Sequence, residues 1–246
     1  MTKKIIDLSQ IDQDRFGVKT AKTNHINLLN LHDILAYCHS QDVDFLIARL
    51  PVSDIKTLYA LEENNFHLMQ TLLYFRYNLL KLSPPKDHSN HIIREVKPGE
   101  EKQVASVARE AFTGYSGHYH ADSRLNHQDC TEVYSSWAER CCIDPSVADC
   151  VFVAEEDGNI VGFRAIRMNS SKQGEMLLSG VLPLARKTGV YTSFVVKALN
   201  WCKERGSEEV ITSTIVSNIG VQKVCVRLGF EPIEAFYTYH KWFDEL

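Results

Sequence analysis

The stretch that most constrains this chain runs from Glu175 to Asn200. It reads as a buried strand from Met176 to Leu182, a short basic loop from Pro183 to Thr188, and a helix opening near Gly189. Val190, Phe194, Val195, Ala198, Leu199 and Trp201 fall at helical spacing. Thr188, Thr192 and Ser193 crowd the first turn, where hydroxyls suit capping. A strand that enters a helix through a basic, glycine-containing loop offers free amides and a helix dipole to an anion. Arg186 and Lys187 add positive charge. The residues therefore predict a phosphate site, or else an ordinary strand–turn–helix with a surface Arg-Lys pair.

The 246 residues suit one large or two small domains. A net charge of −4 points away from nucleic acid, since no global basic field exists. No apolar run approaches the ~20 residues that span a membrane, so no membrane partner is expected. The start, Met-Thr-Lys-Lys-Ile-Ile-Asp, turns polar too early for a signal peptide. Seven cysteines without a repeating CxxC suggest reduced thiols and a cytoplasmic protein.

Along the first part, Phe16 to Thr23 reads as a strand, Leu28 to Cys38 as a helix and Val43 to Leu50 as a strand. Ser53 and Asp54 start a helix through Leu61, and Phe66 to Leu80 is a long aromatic strand. Lys81 to Asn90, with two prolines among polar residues, reads as a linker. The domain boundary is placed there, giving domains over 1–85 and 90–246. The second part predicts a strand at Ile92 to Val96, a helix opened by Pro98-Gly-Glu-Glu, and a loop from Thr113 to Gln128. A helix from Glu132 to Cys142 and two strands joined by Asp157-Gly158-Asn159, a hairpin signal, come next. Beyond the opening stretch lie a strand from Glu209 to Val216, a helix from Asn218 to Leu228 stopped by Gly229, and one or two terminal strands.

This order, with Val181, Pro183, Arg186 and Gly189 in the loop and Asn218 ahead of Leu228-Gly229-Phe230, resembles the GNAT superfamily of acyl-CoA N-acyltransferases. Tyr191 departs from the pattern, standing where a small residue is usual. The implied fold is the α/β (α+β) GNAT fold over residues 90–246. An internal echo precedes it: Asp54 stands before Phe66 at the separation of Asn218 from Phe230. Residues 1–85 are thus expected to form a truncated GNAT-like domain that binds no CoA. The early Phe16-Gly17, the loop His118 to Leu125 and the last aromatic strand resemble the sugar-nucleotide N-acetyltransferases, in particular dTDP-fucosamine acetyltransferases.

The resemblance implies acetyl transfer from acetyl-CoA to the amine of a small acceptor, an amino-deoxy sugar nucleotide. A polyamine, an antibiotic, a protein N-terminus or a non-catalytic CoA-binding role are the competing readings. The amine attacks the thioester directly and a tyrosine protonates the leaving sulfur. In many relatives that tyrosine stands five residues before the Phe of Leu-Gly-Phe, and here that residue is Cys225. The sugar-nucleotide relatives place it one strand later, at Tyr237, with Tyr239 as alternative on the same strand face. For either ring, packing in an aromatic strand is the competing reading. Glu175 is the expected base, acting through water. The cofactor is expected at Val181, Leu182, Arg186, Lys187, Thr188, Gly189, Val190, Tyr191, Thr192 and Asn218. The acceptor is expected at Tyr115, His118, Tyr119 and Arg124. No metal is expected, because His118-Tyr119-His120 lacks a third ligand in pattern. A second copy of the chain is the remaining candidate partner.

Overall fold

The computed structural model describes residues 5–243. In chain order they form β1 (Asp7–Leu8), α1 (Gln10–Phe16), β2 (Thr20–Thr23), α2 (Leu31–Ser40), β3 (Phe45–Pro51), α3 (Ile55–Glu63) and β4 (His67–Asn78). There follow β5 (Ile92–Glu95), α4 (Glu101–Ala111), the single turn α5 (His118–Ala121), α6 (His127–Ile143), β6 (Cys150–Glu156), β7 (Asn159–Ser170) and β8 (Gln173–Val181). After a 3-10 turn at Pro183–Ala185 come α7 (Val190–Glu204), β9 (Glu209–Ile215), α8 (Ile219–Leu228) and β10 (Glu231–Trp242). This is the mixed α/β order expected of a GNAT fold.

Two local expectations change, and an open one narrows. The strand predicted from Phe16 shrinks to Thr20–Thr23, and Gln10–Phe16 is helical instead. The Ser9 carbonyl accepts from the amides of Asp12 and Gln13 and starts that helix. Helix α6 begins at His127 rather than Glu132, because the Asn126 side chain accepts from the amide of Gln128 at 2.8 Å. The terminal segment is one strand, not two.

The chain divides into two compact units that do not follow the 81–90 linker. The first holds the residues up to Leu73, Ser116–Cys130 and the residues from Glu234 onward. The second holds Tyr74–Tyr115 and Thr131–Ile233. The physical reason lies in pairing. Residues Phe236 to Trp242 run antiparallel to Pro51 through Phe45, which carries the end of the chain into the first unit. The proline segment belongs to the second unit, where the Ser83 carbonyl accepts from Tyr77 Oη at 2.6 Å and Ser89 Oγ bonds Ser193 Oγ at 2.6 Å.

In the first unit β2 runs parallel to β3, paired residue for residue from Thr20↔Phe45 to Thr23↔Ala48. Its apolar core gathers Ile26, Ile34, Leu46, Leu50, Leu61, Phe66 and Tyr239. In the second unit β5, β6, β7 and β8 form an antiparallel series, and β9 joins β8 in parallel. Helix α4 packs Val104, Val107 and Ala108 on Val153, Phe163, Ala165 and Leu178. The β6–β7 hairpin turns on Asp157 (φ 49°) and Gly158 (φ 78°), two left-handed residues in succession as a type I′ turn requires.

Candidate functional site

The site expected in the sequence lies in the second unit, where β8 hands over to α7. β8 and β9 are in register only from Gln173↔Glu209 to Met176↔Thr212. Beyond Met176 the two strands have parted, although β8 continues to Val181 and β9 to Ile215. Leu182 donates its amide to the Val161 carbonyl at 2.9 Å, so it faces β7. By the alternation of a strand, the amides of Val181 and Ser179 point the other way, into the gap. Of the two expected amide donors, Val181 is therefore available and Leu182 is not.

The loop that follows is shaped to expose its amides. Lys187 (φ 67°) and Gly189 (φ 105°) both adopt the left-handed conformation, which curls successive N–H groups towards one side. Among the described residues, no protein acceptor takes the amides of Lys187, Thr188, Gly189, Val190, Tyr191 or Thr192. The first amide of this helix start to be satisfied is that of Ser193, which donates to the Gly189 carbonyl at 3.0 Å. Six consecutive free donors at the positive end of a 15-residue helix make an anion cradle.

Arg186 does not project into that cradle. Its guanidinium donates to the Ala111 carbonyl at 2.9 Å and the Val181 carbonyl at 3.3 Å, bracing the loop against α4 and β8. Thr188 Oγ1 donates to the Ala185 carbonyl at 2.8 Å, and the Thr188 carbonyl bonds His91 Nε2 at 3.0 Å. Among the described residues, the charge left free at the loop is Lys187, which is exposed.

Asn218 caps α8 by accepting from the Val221 amide at 3.3 Å. Gly229 (φ 97°) closes the helix, and the Phe230 amide reaches back to the Cys225 carbonyl at 3.0 Å. Cys225 is wholly buried, and burial pushes its thiol up to about 11. Beside it lie two groups that the sequence did not bring together. Tyr191 is half-buried at the start of α7, and the guanidinium of Arg164 on β7 stacks over its ring at 4.8 Å. Arg164 is only 2% exposed, and its Nε and Nη2 have no acceptor among the described residues. The available signal was a lone arginine inside the apolar run Ile160-Val-Gly-Phe-Arg-Ala-Ile.

The remaining expected residues are placed elsewhere. Glu175 sits on the part of β8 still paired with β9, opposite Ile211, and its carboxylate accepts from Arg167 at 3.1 Å. That carboxylate is committed to an ion pair. Tyr115 belongs to the second unit, in a cluster with Phe112 and Tyr134, and burial pushes its phenol up to about 12. Tyr237 belongs to the first unit, where it stands opposite Leu50 and packs on the apolar core. Tyr239 is buried in the same core, its phenol pushed up to about 12 by burial.

His118, Tyr119 and Arg124 also lie in the first unit, around a buried polar network. Asp122 accepts from His240 Nδ1 at 2.7 Å and from Trp242 Nε1 at 3.0 Å. His240 Nε2 bonds His118 Nδ1 at 2.9 Å. Burial holds both imidazoles below the ordinary histidine range, that of His118 well below it. Tyr119 Oη donates to Asp12 at 2.8 Å, and Lys22 pairs with the same carboxylate. Arg124 lies over the Trp242 ring at 4.0 Å. Among the described residues no group of three or more His, Cys, Asp or Glu is arranged to hold a metal, and no helix is long and apolar enough to cross a membrane.

Comparison with known proteins agrees with this geometry. Residues 110–230 match the acetyltransferase (GNAT) family. Over 208 residues the chain is 21% identical to the spore coat polysaccharide biosynthesis protein SpsD of Bacillus subtilis (strain 168), covering 82% of this chain and 68% of that protein. Among solved structures, a GCN5-related N-acetyltransferase from Sphaerobacter thermophilus superposes with a TM-score of 0.66 at 17% identity, over 96% of this chain and 76% of that one. A tandem GNAT protein from the clavulanic acid biosynthesis pathway gives 0.63 at 13% identity, over 94% of this chain and 77% of that one. Residues 110–230 thus carry a GNAT-family acetyltransferase region, within a chain of GNAT-like mixed α/β fold.

Proposed function

We propose that the chain moves an acetyl group from acetyl-CoA to the primary amine of a small acceptor, an amino-deoxy sugar nucleotide. The observation that carries the cofactor reading is the row of six unpartnered amides from Lys187 to Thr192 at the head of α7. A diphosphate supplies the acceptors those amides lack. The pantetheine arm then follows the gap where β9 leaves β8, extending the sheet through Val181 and Ser179. Arg186 keeps the loop in shape through two carbonyls, and Asn218 keeps the start of α8 in place. Acetyl transfer follows by direct attack of the neutral amine, with orientation of the two reactants supplying much of the rate.

The acceptor class rests on the likeness to SpsD, a polysaccharide biosynthesis protein. Arg124 stacked on Trp242 is a surface suited to a nucleotide's base and phosphates. The truncated, CoA-free character of the first domain rests on the fully paired β2–β3 edge and on the likeness to a tandem GNAT protein. The leaving sulfur needs a proton donor. Tyr237 is the donor by resemblance, but its ring packs on the apolar core of the first unit.

Calorimetric titration with acetyl-CoA, followed by thiol-release assays on amino-sugar nucleotides, polyamines and aminoglycosides, tests this reading. Tight acetyl-CoA binding with turnover on the first class is expected. Binding with no turnover on any amine would favour a non-catalytic CoA-binding role. Arg186→Ala should weaken acetyl-CoA binding by about tenfold, the scale of one charge-assisted hydrogen bond. An unchanged dissociation constant would mean that the cradle keeps its shape without the Arg186 brace.

A further inference from the structure

Two positions at which this chain departs from the pattern of its family meet in the second unit. Tyr191 is bulky where a small residue is usual, and Cys225 is small where a tyrosine is usual. The guanidinium of Arg164 acts on both of them, and it lies over the Tyr191 ring at 4.8 Å. The register fixes where that guanidinium is. Arg164 stands opposite Ser179 of β8, so both side chains leave the same face of the sheet. Gly162, two residues earlier, faces the ring of Phe194, which marks this as the face covered by α7. Ser179 lies beyond Met176, where β8 no longer pairs with β9. Arg164 therefore reaches under α7 at the level of the gap.

Its donors have a definite direction. Nε and Nη2 form one edge of the guanidinium. With that same edge Arg109 holds both oxygens of Glu132, at 2.6 and 2.8 Å. On Arg164 the edge is buried and meets no protein acceptor among the described residues. A buried cation with two unsatisfied donors is costly unless an anion forms beside it, and an anion formed there is held far more strongly than in water.

We propose that Tyr191 and Arg164 are the acid site for the departing coenzyme. The inference rests on the CoA reading above and replaces Tyr237 as proton donor. As the carbonyl carbon–sulfur bond breaks, its electron pair goes to sulfur and the Tyr191 phenol gives its proton to that sulfur. The resulting phenolate is held beside Arg164, which stays a guanidinium throughout. The proton that the amine nitrogen sheds returns to the phenolate through solvent, so no other reactant is needed. The titratable and charged groups acting on Tyr191 are Arg164 and Cys225; burial raises the phenol above its ordinary value, against the pull of Arg164. Tyr191 is thus protonated at neutral pH, as an acid must be. The family's phenol has in effect moved from α8 to α7, and Cys225 leaves room for it.

The test uses the whole chain and needs no known acceptor. Dissociation constants of CoA and desulfo-CoA are measured between pH 6 and 10, the span that brackets an ordinary thiol of pKa about 8.5. If Arg164 faces the sulfur, the preference for CoA over desulfo-CoA should rise by about tenfold or more with pH, because one pKa unit is a factor of ten. Arg164→Met should abolish that rise and Arg164→Lys should keep part of it. A preference in the wild type that does not change with pH would overturn the placement of Arg164, whether or not the variants fold. On the amine turned over fastest, Tyr191→Phe should cut kcat by about a hundredfold with the acetyl-CoA dissociation constant within about twofold. Wild-type kcat in Tyr191→Phe, with loss in Tyr237→Phe, would return the acid to Tyr237. Failure of both CoA and desulfo-CoA to bind would instead remove the CoA reading itself.

Discussion

The starts of α2 and α7 show what separates a binding loop from a packing loop. Each follows a strand that runs parallel to the next one, β2 beside β3 and β8 beside β9. Before α2, the amides from Asn27 to Leu31 are all answered by the protein. Asn27 donates to Asn30 Oδ1 at 2.8 Å, Leu28 to Thr57 Oγ1 at 3.1 Å, Leu29 to Asn27 Oδ1 at 2.9 Å, and Asn30 and Leu31 to the Asn27 carbonyl. Before α7, the loop amides of Lys187, Thr188 and Gly189 are answered by nothing in the described chain. They add to the free first-turn amides Val190 to Thr192, which have ordinary counterparts in His32 and Asp33 of α2. The strands differ in the same sense: β2 and β3 stay paired along all four residues of β2, whereas β8 and β9 part after Met176. Asparagine side chains close the loop before one helix, and left-handed backbone at Lys187 and Gly189 leaves the loop before the other open.

The next helices carry the comparison further. Asp54 caps α3 through the Thr57 amide as Asn218 caps α8 through that of Val221. Asn65 (φ 57°) stands in the place of Gly229 (φ 97°), and the amides of Phe66 and Phe230 each return to a carbonyl five residues back, at 3.0 Å. Those carbonyls belong to Leu61 and Cys225, both fully buried. Leu61 meets hydrocarbon, whereas Cys225 lies in the field of Arg164. One turn, built twice, thus faces a core in one unit and a charged site in the other.

The largest expected effect is on that contrast. Leu61→Ala should cost about 2–5 kcal/mol of stability by leaving a cavity, whereas Cys225→Ala, which removes one sulfur, should cost about 1 kcal/mol. Denaturant unfolding reads both, and equal costs would break the distinction between packing and site. Gly189→Val comes next. A β-branched residue is strained at φ 105°, and acetyl-CoA affinity should fall by roughly ten- to hundredfold while the fold survives. Asp54→Ala and Asn218→Ala should each cost about 1 kcal/mol, and only the second should also weaken acetyl-CoA binding. Loss of binding in both would blur the two units. The smallest effect is that of Asn65→Gly, which relieves a left-handed residue and should move the melting temperature by no more than a degree or two, where Gly229→Ala lowers it clearly. At Gly229 a Cβ would also meet Leu82 Cδ1 at 3.3 Å.

Much of this was legible in local signals. The Asp157-Gly158 turn, the helix start at Asn218, the Gly229 stop and the helix opening near Gly189 all express backbone requirements that a few neighbouring residues set. What escaped was set by distant partners. Nothing local marks Asp12 and Asp122 as buried: Lys22 and Tyr119 cover the first, and His240 and Trp242 the second. Gln10–Phe16 became a helix around that buried Asp12. Arg186 looked like the mobile charge of the loop, yet two carbonyls hold it, one of them Ala111, remote in sequence. Arg164 was hidden for the opposite reason: nothing in the apolar run from Ile160 to Ile166 tells which face its arginine takes or that its donors go unanswered.

Amide resonances of Lys187 to Thr192 and of Asn27 to Leu31, followed by NMR during titration with acetyl-CoA, test the central contrast most directly. Large shifts and new exchange protection across the first set, with the second unmoved, are the result expected from free donors meeting a diphosphate. Saturable binding that leaves the amides of Lys187 to Thr192 where they were would contradict it.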